Sequence, residues 1–289
     1  MTEPFDGMLA ALDLTDTGAR TDEDIFTGIS QWMPHGRVFG GQVLAQSLVA
    51  AMRTMPDDRA VHSMHGYFLR AGDVDKPITF AVDRVHDGRS FSARRTQAYQ
   101  NGVPILSMIA SFQSASSGLD HQVEMPTDLP QPEDLPDSAA TLIDVDHPVG
   151  RYWATQRPFD MRHITSPVYL TVEGDHVAHQ AVWIKALGTL PDDDNLHRAA
   201  LAFASDYTIL ESVFRRHGLA WATPGLKVAS LDHAMWWHRS GRADEWMLYV
   251  QESPSASGGR GLAQGRIYSR NGALLASVAQ EGMVRIPRD

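Results

Sequence analysis

The sequence predicts an α+β fold built twice, each copy a central helix wrapped by a curled antiparallel sheet. Three observations predict it. The stretch DGRSFSARRTQAYQNGVPILSMIASFQ at 87–113 returns in outline as GGRGLAQGRIYSRNGALLASVAQEG at 258–282: a Gly-Arg, an alternating run, an Asn-Gly pair and a second run that reaches a Gln. VHSMHGYFLRAGDVDKPITFAV from Val61 can be laid on VASLDHAMWWHRSGRADEWMLYV from Val228, an offset of 228 − 61 = 167. A helical pattern precedes the strands in each copy. Repetition of order and spacing marks two homologous domains, since two copies are too few for a stacked array.

In the first copy, Gly40-Gly41 opens QVLAQSLVAAMRTM, where Leu44, Leu48 and Met52 share a face that Val43 and Ala50 widen. A helix apolar around nearly its whole circumference is predicted to be buried. The strands from Val61 follow, and Asn101-Gly102 suits the positive φ values of a two-residue type I′ turn between the last two. MPTDLPQPEDLPDS then packs four prolines among acids, a composition for an extended connection and not for a sheet interior. The domains are set at 1–115 for the N-terminal repeat, 116–170 for the Pro-rich linker and 171–289 for the C-terminal repeat, with RPFDMRHI at 157–164 a candidate early strand of the second half. The second helix is placed on SDYTILESVFRRHG, starting at Ser205-Asp206 and ending at Gly218, with Ile209, Leu210, Val213 and Phe214 on its apolar side. Asn271-Gly272 is assigned the same turn type as the first pair.

Composition narrows the function. The 289 residues, 43% hydrophobic, suffice for a sizeable core. Lys and Arg number 25 against 35 Asp and Glu, a net charge of −10, so no global positive field draws nucleic acid or an anionic membrane. No nucleic-acid partner and no membrane insertion are expected. Cysteine is absent, which removes disulfides, thiolate metal sites and cysteine nucleophiles together. MTEPFDGMLA puts two acids and no Lys or Arg ahead of an apolar run, and IPRD is not a peroxisomal address, so a cytoplasmic location is expected.

Several motifs fail their context. Gly259, Gly261 and Gly265 approximate a phosphate loop, but strands follow instead of a helix. No Gly-x-Ser-x-Gly elbow is present. Thirteen histidines include the pairs His62/His65 and His233/His238, yet the first pair, three apart on a strand, is expected to face opposite ways, which argues against a metal site. Arg94, Arg95 and Arg260 carry guanidinium groups suited to phosphates, against the ordinary reading as exposed strand arginines.

VFGGQVLAQSL, VHSMHGYFLRAGD, DGRSFSARR, QNGVPILSMIASFQ, LDHAMWWHR, ESPSASGGRG and VAQEGMVR, spread over about 40–285, resemble the signature segments of the acyl-CoA thioesterase II family. The resemblance implies a double hot-dog fold and hydrolysis of fatty acyl-CoA to free acid and CoA, with no cofactor. It also implies a catalytic Asp, hydroxyl and Gln, which fall on Asp206 in ASDYTIL, Ser230 in VASLDH and Gln280 in SVAQEG. Serine stands where many members carry threonine; either hydroxyl donates and accepts. Read alone, Asp206 is a helix cap, Ser230 a strand hydroxyl and Gln280 a strand-end amide, though Gln280 shares strand parity with Leu274, Ala276 and Val278. The expected substrate-binding residues are Gly40 and Gly41, as orphan N–H donors for an oxyanion, with His62 and Arg260.

At the 167 offset Ser230 falls on Ser63 and Gln280 on Gln113, but Asp206 falls on Phe39, so one complete set is expected, in the second half. The leading function is hydrolysis of medium- to long-chain acyl-CoA by Asp-activated water. A silent acyl-CoA binder and a hot-dog enoyl-CoA hydratase are the alternatives, the latter expected to show an Asp-His pair. Trp236-Trp237 is offered to the acyl pocket or the core. A homo-oligomer is open, the double hot dog being already a pseudo-dimer.

Overall fold

A computed structural model describes residues 3–19, 21–143, 145 and 150–286. Positions 144 and 146–149 of the linker and 287–289 at the close of the second repeat lie outside the described residues, as do 1, 2 and 20.

The first repeat runs α1 (Glu3–Leu12), β1 (Thr15–Asp16), β2 (Asp24–Gly28), α2 (Gly40–Met52), β3 (Arg59–Phe68), β4 (Ile78–Asp87), β5 (Phe91–Gln100) and β6 (Val103–Ser114). The linker carries α3 (Ser138–Leu142) and α4 (Gly150–Thr155). The second repeat adds β7 (Phe159–His163), β8 (His179–Ala186), α5 (Asp194–Ser205), α6 (Glu211–His217), β9 (Lys227–Ser230), β10 (Asp232–Trp237), β11 (Met247–Ser257), β12 (Arg260–Ser269) and β13 (Leu274–Arg285). Among the described residues all the strands join one antiparallel sheet in the order β1-β2-β4-β5-β6-β3-β10-β13-β12-β11-β8-β7, with β9 on β13. Strand β7 therefore extends the second sheet from within the stretch 116–170.

The halves meet at β3 and β10, where Gly66 lies opposite His233. Those positions are 233 − 66 = 167 apart, the repeat offset. In a symmetric dimer a two-fold axis passes where a residue faces its own copy. Here the equivalent residue takes the copy's place.

Burial follows the sequence pattern. Leu44, Leu48, Ala50 and Ala51 of α2 are fully buried. Its polar Gln42 and Gln46 are buried as well, and their amides are satisfied: Gln42 Nε2 donates to Gln46 Oε1 at 3.1 Å, and Gln46 Nε2 to the Ala11 carbonyl at 2.9 Å. The Pro-rich chain lies along the second sheet, where Met125, Leu129 and Leu135 cover Trp183, Leu248 and Tyr268. Gln122 bonds the backbone of Gly272 and Leu274, and Trp183 Nε1 donates to the Pro130 carbonyl at 2.9 Å.

Two local assignments are corrected. The second helix does not begin at Ser205-Asp206. Asp193 caps α5 by accepting N–H bonds from Asn195 and Leu196, Asp206 ends that helix, and α6 starts at Glu211. Asp206 spends its side chain on neighbouring elements instead of on a cap, and Ser205 Oγ lies within hydrogen-bond distance of both the Ala202 carbonyl of its own helix and the His233 ring. The far end agrees with the sequence, Gly218 closing α6 at φ 63°. The two Asn-Gly turns also differ. Asn101 and Gly102 take φ 50° and 73°, as a type I′ turn requires, whereas only Gly272 is positive in the second pair, at 90°. The N–H of Gly272 donates to the Ser269 carbonyl, and that of Ser269 to the Ala273 carbonyl, forming a three-residue loop with glycine at its left-handed position.

Candidate active site

Asp206 reaches the site because α5 ends against the start of α2. The two helices meet so closely that glycine is required at both first positions of α2. A Cβ on Gly40 would sit 2.5 Å from Asp206 Oδ2, and one on Gly41 would sit 2.3 Å from the Phe203 carbonyl. The Gly41 N–H is spent on the Asp206 carboxylate. Strand β9 brings Ser230 alongside, and β13 brings Gln280, which is 1% exposed.

The three side chains form a directed chain. Gln280 Nε2 donates to Ser230 Oγ at 2.9 Å, and Ser230 Oγ reaches Asp206 Oδ1 at 3.5 Å, the long limit for such a bond. Burial pushes the Asp206 carboxyl up to about 6, while donation from Gln280, Gly41 and Ser230 opposes the rise. A carboxylate in that range exchanges a proton readily near neutrality.

Asp206, Ser230, Gln280 and Gly40 line a cavity of about 780 Å³. Its walls come from both repeats: Phe39, Val43, Phe68 and Ile105 from the first, Tyr207, Leu210, Trp221 and Val228 from the second. Phe39, at the position equivalent to Asp206, stacks on Tyr207 with centroids 4.4 Å apart. The first repeat thus supplies a ring where the second supplies the acid. Exposed Arg37 and Arg70 also line the cavity, as does Arg157, which is 7% exposed. The Arg157 guanidinium lies over Trp153, Tyr169 and Tyr207 and donates to the Tyr169 hydroxyl at 2.7 Å.

Other expected site residues are not brought to this cavity. His62 does not line it; a β-bulge after Val61 turns the ring onto Ser111 Oγ at 2.8 Å, against exposed Phe91. The same bulge overturns the parity argument that set His62 and His65 on opposite faces, since His65 packs on exposed Trp236. Arg260 pairs with Glu281 at 2.9 Å on the surface. Arg94 is neither exposed nor free for phosphate: it is 1% exposed and bonds Asp87, Thr54 and backbone carbonyls. Trp237 is buried in the core and Trp236 lies on the outer face, so neither lines the cavity. Ser63 and Gln113 do not line it either.

A second buried polar cluster stands behind the wall. Ser138 Oγ contacts His163 Nδ1 at 3.1 Å, and His163 Nε2 contacts Glu211 Oε2 at 3.0 Å. The bond order imitates a hydrolase triad, yet Ser138 is 7% exposed and away from the cavity. The cluster fixes the wall instead, since Glu211 Oε1 accepts from Trp221 Nε1 at 3.2 Å.

Two curled sheets, each folded around a helix and joined edge to edge, define a double hot dog. The solved structure of a hot-dog protein from Alicyclobacillus acidocaldarius superposes with a TM-score of 0.79 over 100% of both chains at 21% identity. The profile described as "Acyl-CoA thioesterase N-terminal domain" matches residues 29–113, and that described as "Acyl-CoA thioesterase" matches 154–283. Acyl-CoA thioesterase 2 of Haemophilus influenzae is 39% identical over 272 residues, covering 92% of this chain and 94% of its own. The crystal structure of an acyl-CoA thioesterase II from Mycobacterium marinum is 41% identical, with a TM-score of 0.77 and 97% of each chain covered. The chain belongs to the acyl-CoA thioesterase family, and is a thioester hydrolase by that membership. Among the described residues no helix is long and apolar enough to cross a membrane.

Proposed function

We propose that this chain hydrolyses medium- to long-chain acyl-CoA to free acid and CoA, with water activated by Asp206. The observation that carries the reading is a half-buried carboxylate, pushed up to about 6 by burial and ringed by donors, on the wall of a cavity large enough for an acyl chain. Ser230 and Gln280 hold a water beside Asp206, the 3.5 Å gap between Ser230 and the carboxylate being loose enough to share one. Asp206 takes a proton as the water oxygen bonds to the thioester carbon. The carbon–sulfur bond breaks as the tetrahedral intermediate collapses, and the proton passes from Asp206 to the departing sulfur. Acid and thiol together contain the atoms of thioester and water.

The Gly41 N–H is taken by the carboxylate, so Gly40, at the first turn of α2 and on the cavity wall, is our assignment for the oxyanion donor. Arg37 and Arg70, exposed on the same cavity, supply positive charge for the CoA phosphates. The apolar walls favour medium and long chains. A cytoplasmic enzyme acting as an oligomer completes the proposal, and sedimentation tests the assembly.

Thiol release measured over a series of acyl-CoA lengths tests the function, with Asp206→Asn as control. Because the chain holds no cysteine, a thiol reagent reports released CoA alone. Turnover of C8 to C16 substrates that vanishes in the variant supports the reading. Tight binding of acyl-CoA without thiol release contradicts it.

A further inference from the structure

We propose that His233 is a positioning residue that fixes which end of the Gln280 amide faces the reacting water. The proposal rests on the reading of Gln280 as a catalytic donor and adds a residue that touches neither substrate nor cavity.

The oxygen and nitrogen of a glutamine amide are nearly the same size, so packing alone cannot choose between the two orientations; hydrogen bonding must. At Gln280 the choice matters. With NH₂ toward Ser230 and Asp206, the amide donates to both. Turned over, it would present a carbonyl lone pair to a carboxylate and a hydroxyl, and the water would lose its donor.

His233 lies on β10, fully buried, with Nδ1 in contact with Gln280 Oε1 and Nε2 at 3.0 Å from Ser205 Oγ. An amide oxygen has no proton to give, so the bond requires a proton on Nδ1. Burial pushes the ring down to about 4, so near neutrality it carries one proton only. That proton on Nδ1 leaves Nε2 as an acceptor for the Ser205 hydroxyl, whose other acceptor is the Ala202 carbonyl at 2.9 Å. Ser205 is itself held, its carbonyl accepting from the Tyr249 hydroxyl at 3.0 Å.

The bonds close a ring. Ser205 O–H donates to His233, His233 Nδ1–H to Gln280, Gln280 N–H to Ser230, and Ser230 O–H points to Asp206, the neighbour of Ser205 in the chain. Each donor faces an acceptor in one sense around the circuit. Reversing the amide would require the ring proton on Nε2, with the Ser205 hydroxyl turned to the Ala202 carbonyl, and would draw the Ser230 proton away from Asp206. A proton on Nδ1 therefore holds the amide nitrogen toward Ser230, and the end of α5 anchors the imidazole.

Three variants separate this role from plain core packing. Asn at 233 can place an N–H where Nδ1 stands, Gln keeps a polar group for Ser205 but removes the Nδ1 donor, and Leu removes both. His233→Gln and His233→Leu are expected to lower kcat about 10- to 100-fold with KM within about twofold, the effect of a buried acceptor left unpaired. His233→Asn should bring kcat back to within about fivefold of the parent. Added to Gln280→Ala, His233→Gln should slow the enzyme no further, because it acts through the amide. Loss of rescue by Asn, or losses that multiply in the double variant, would overturn the proposal.

The ¹⁵N shifts of the histidines in the unmutated protein give a reading independent of folding, His233 being assigned as the signal lost in His233→Asn. A proton on Nδ1 at pH 7 supports the proposal; a proton on Nε2 overturns it. This result stands apart from the proposed mechanism. A wrong mechanism shows as turnover surviving in Asp206→Asn while the tautomer stays as expected.

Discussion

Replacing Asp206 by Asn should produce a protein that is catalytically dead yet more stable at alkaline pH. The Asp206 carboxyl sits at about 6 in the fold against 3.8 in a solvated chain, burial being the cause. An acid whose folded value is raised binds its proton more tightly folded than unfolded. The contribution of this group to stability is therefore greatest below about pH 4, falls as pH climbs from about 4 to 6, and stays reduced above. A shift of about two units corresponds to about 3 kcal/mol, an upper bound because the side chain keeps part of its contact with water. Asn keeps the shape and one acceptor without the charge. We expect Asp206→Asn to gain up to about 3 kcal/mol at pH 8, where it also loses about 100- to 10,000-fold in turnover, and to gain nothing near pH 4. Urea unfolding at both pH values with thiol release at pH 8 measures all three quantities. Destabilisation at pH 8 equal to that at pH 4 would refute the claim that burial of this charge costs the fold anything.

Further predictions follow from the same geometry. Gly40→Ala drives a methyl to within 2.5 Å of Asp206 Oδ2; displacing the carboxylate should lower kcat about 10- to 100-fold with a modest change in KM, read by steady-state kinetics. Ser63→Ala and Gln113→Ala should leave turnover within about twofold, whereas Ser230→Ala loses about tenfold or more; equal losses would end the one-sided reading of the duplication. Gly272→Ala puts a Cβ at φ 90° in the second hairpin and should lower stability by about 1 kcal/mol or more without touching kcat, measured as a shift in urea midpoint.

Patterns with a short physical range were legible in the sequence. The apolar circumference of α2, the left-handed Gly218 and the Asn101-Gly102 turn each follow from a few neighbouring residues. At the joined edge the structure sets Gly66 opposite His233, two residues separated by the repeat offset. The boundary at Asp206 was illegible for the opposite reason. Ser-Asp before an apolar run is a good cap locally, but the Gly41 N–H and the His233 ring, both distant in sequence, compete for those side chains and win. His62 misled because one bulge reverses strand parity, and no local residue announces it. Arg94 reads as a surface arginine and is buried because Asp87 and Thr54 lie within reach. His233 stood in LDHAMWWHR in plain view, weighed only against metal spacing; its partner Gln280 is 47 residues away.

The dependence of kcat/KM on pH tests the central claim most directly. If the Asp206 carboxylate takes the proton from water, kcat/KM should be flat from about pH 7 to 8 and fall about tenfold per unit below about pH 6, the value to which burial pushes that group. Substrate ionisation does not imitate the fall if the same limb is seen with acyl-pantetheine, which lacks phosphates. A kcat/KM that stays level down to pH 4.5 would contradict the account.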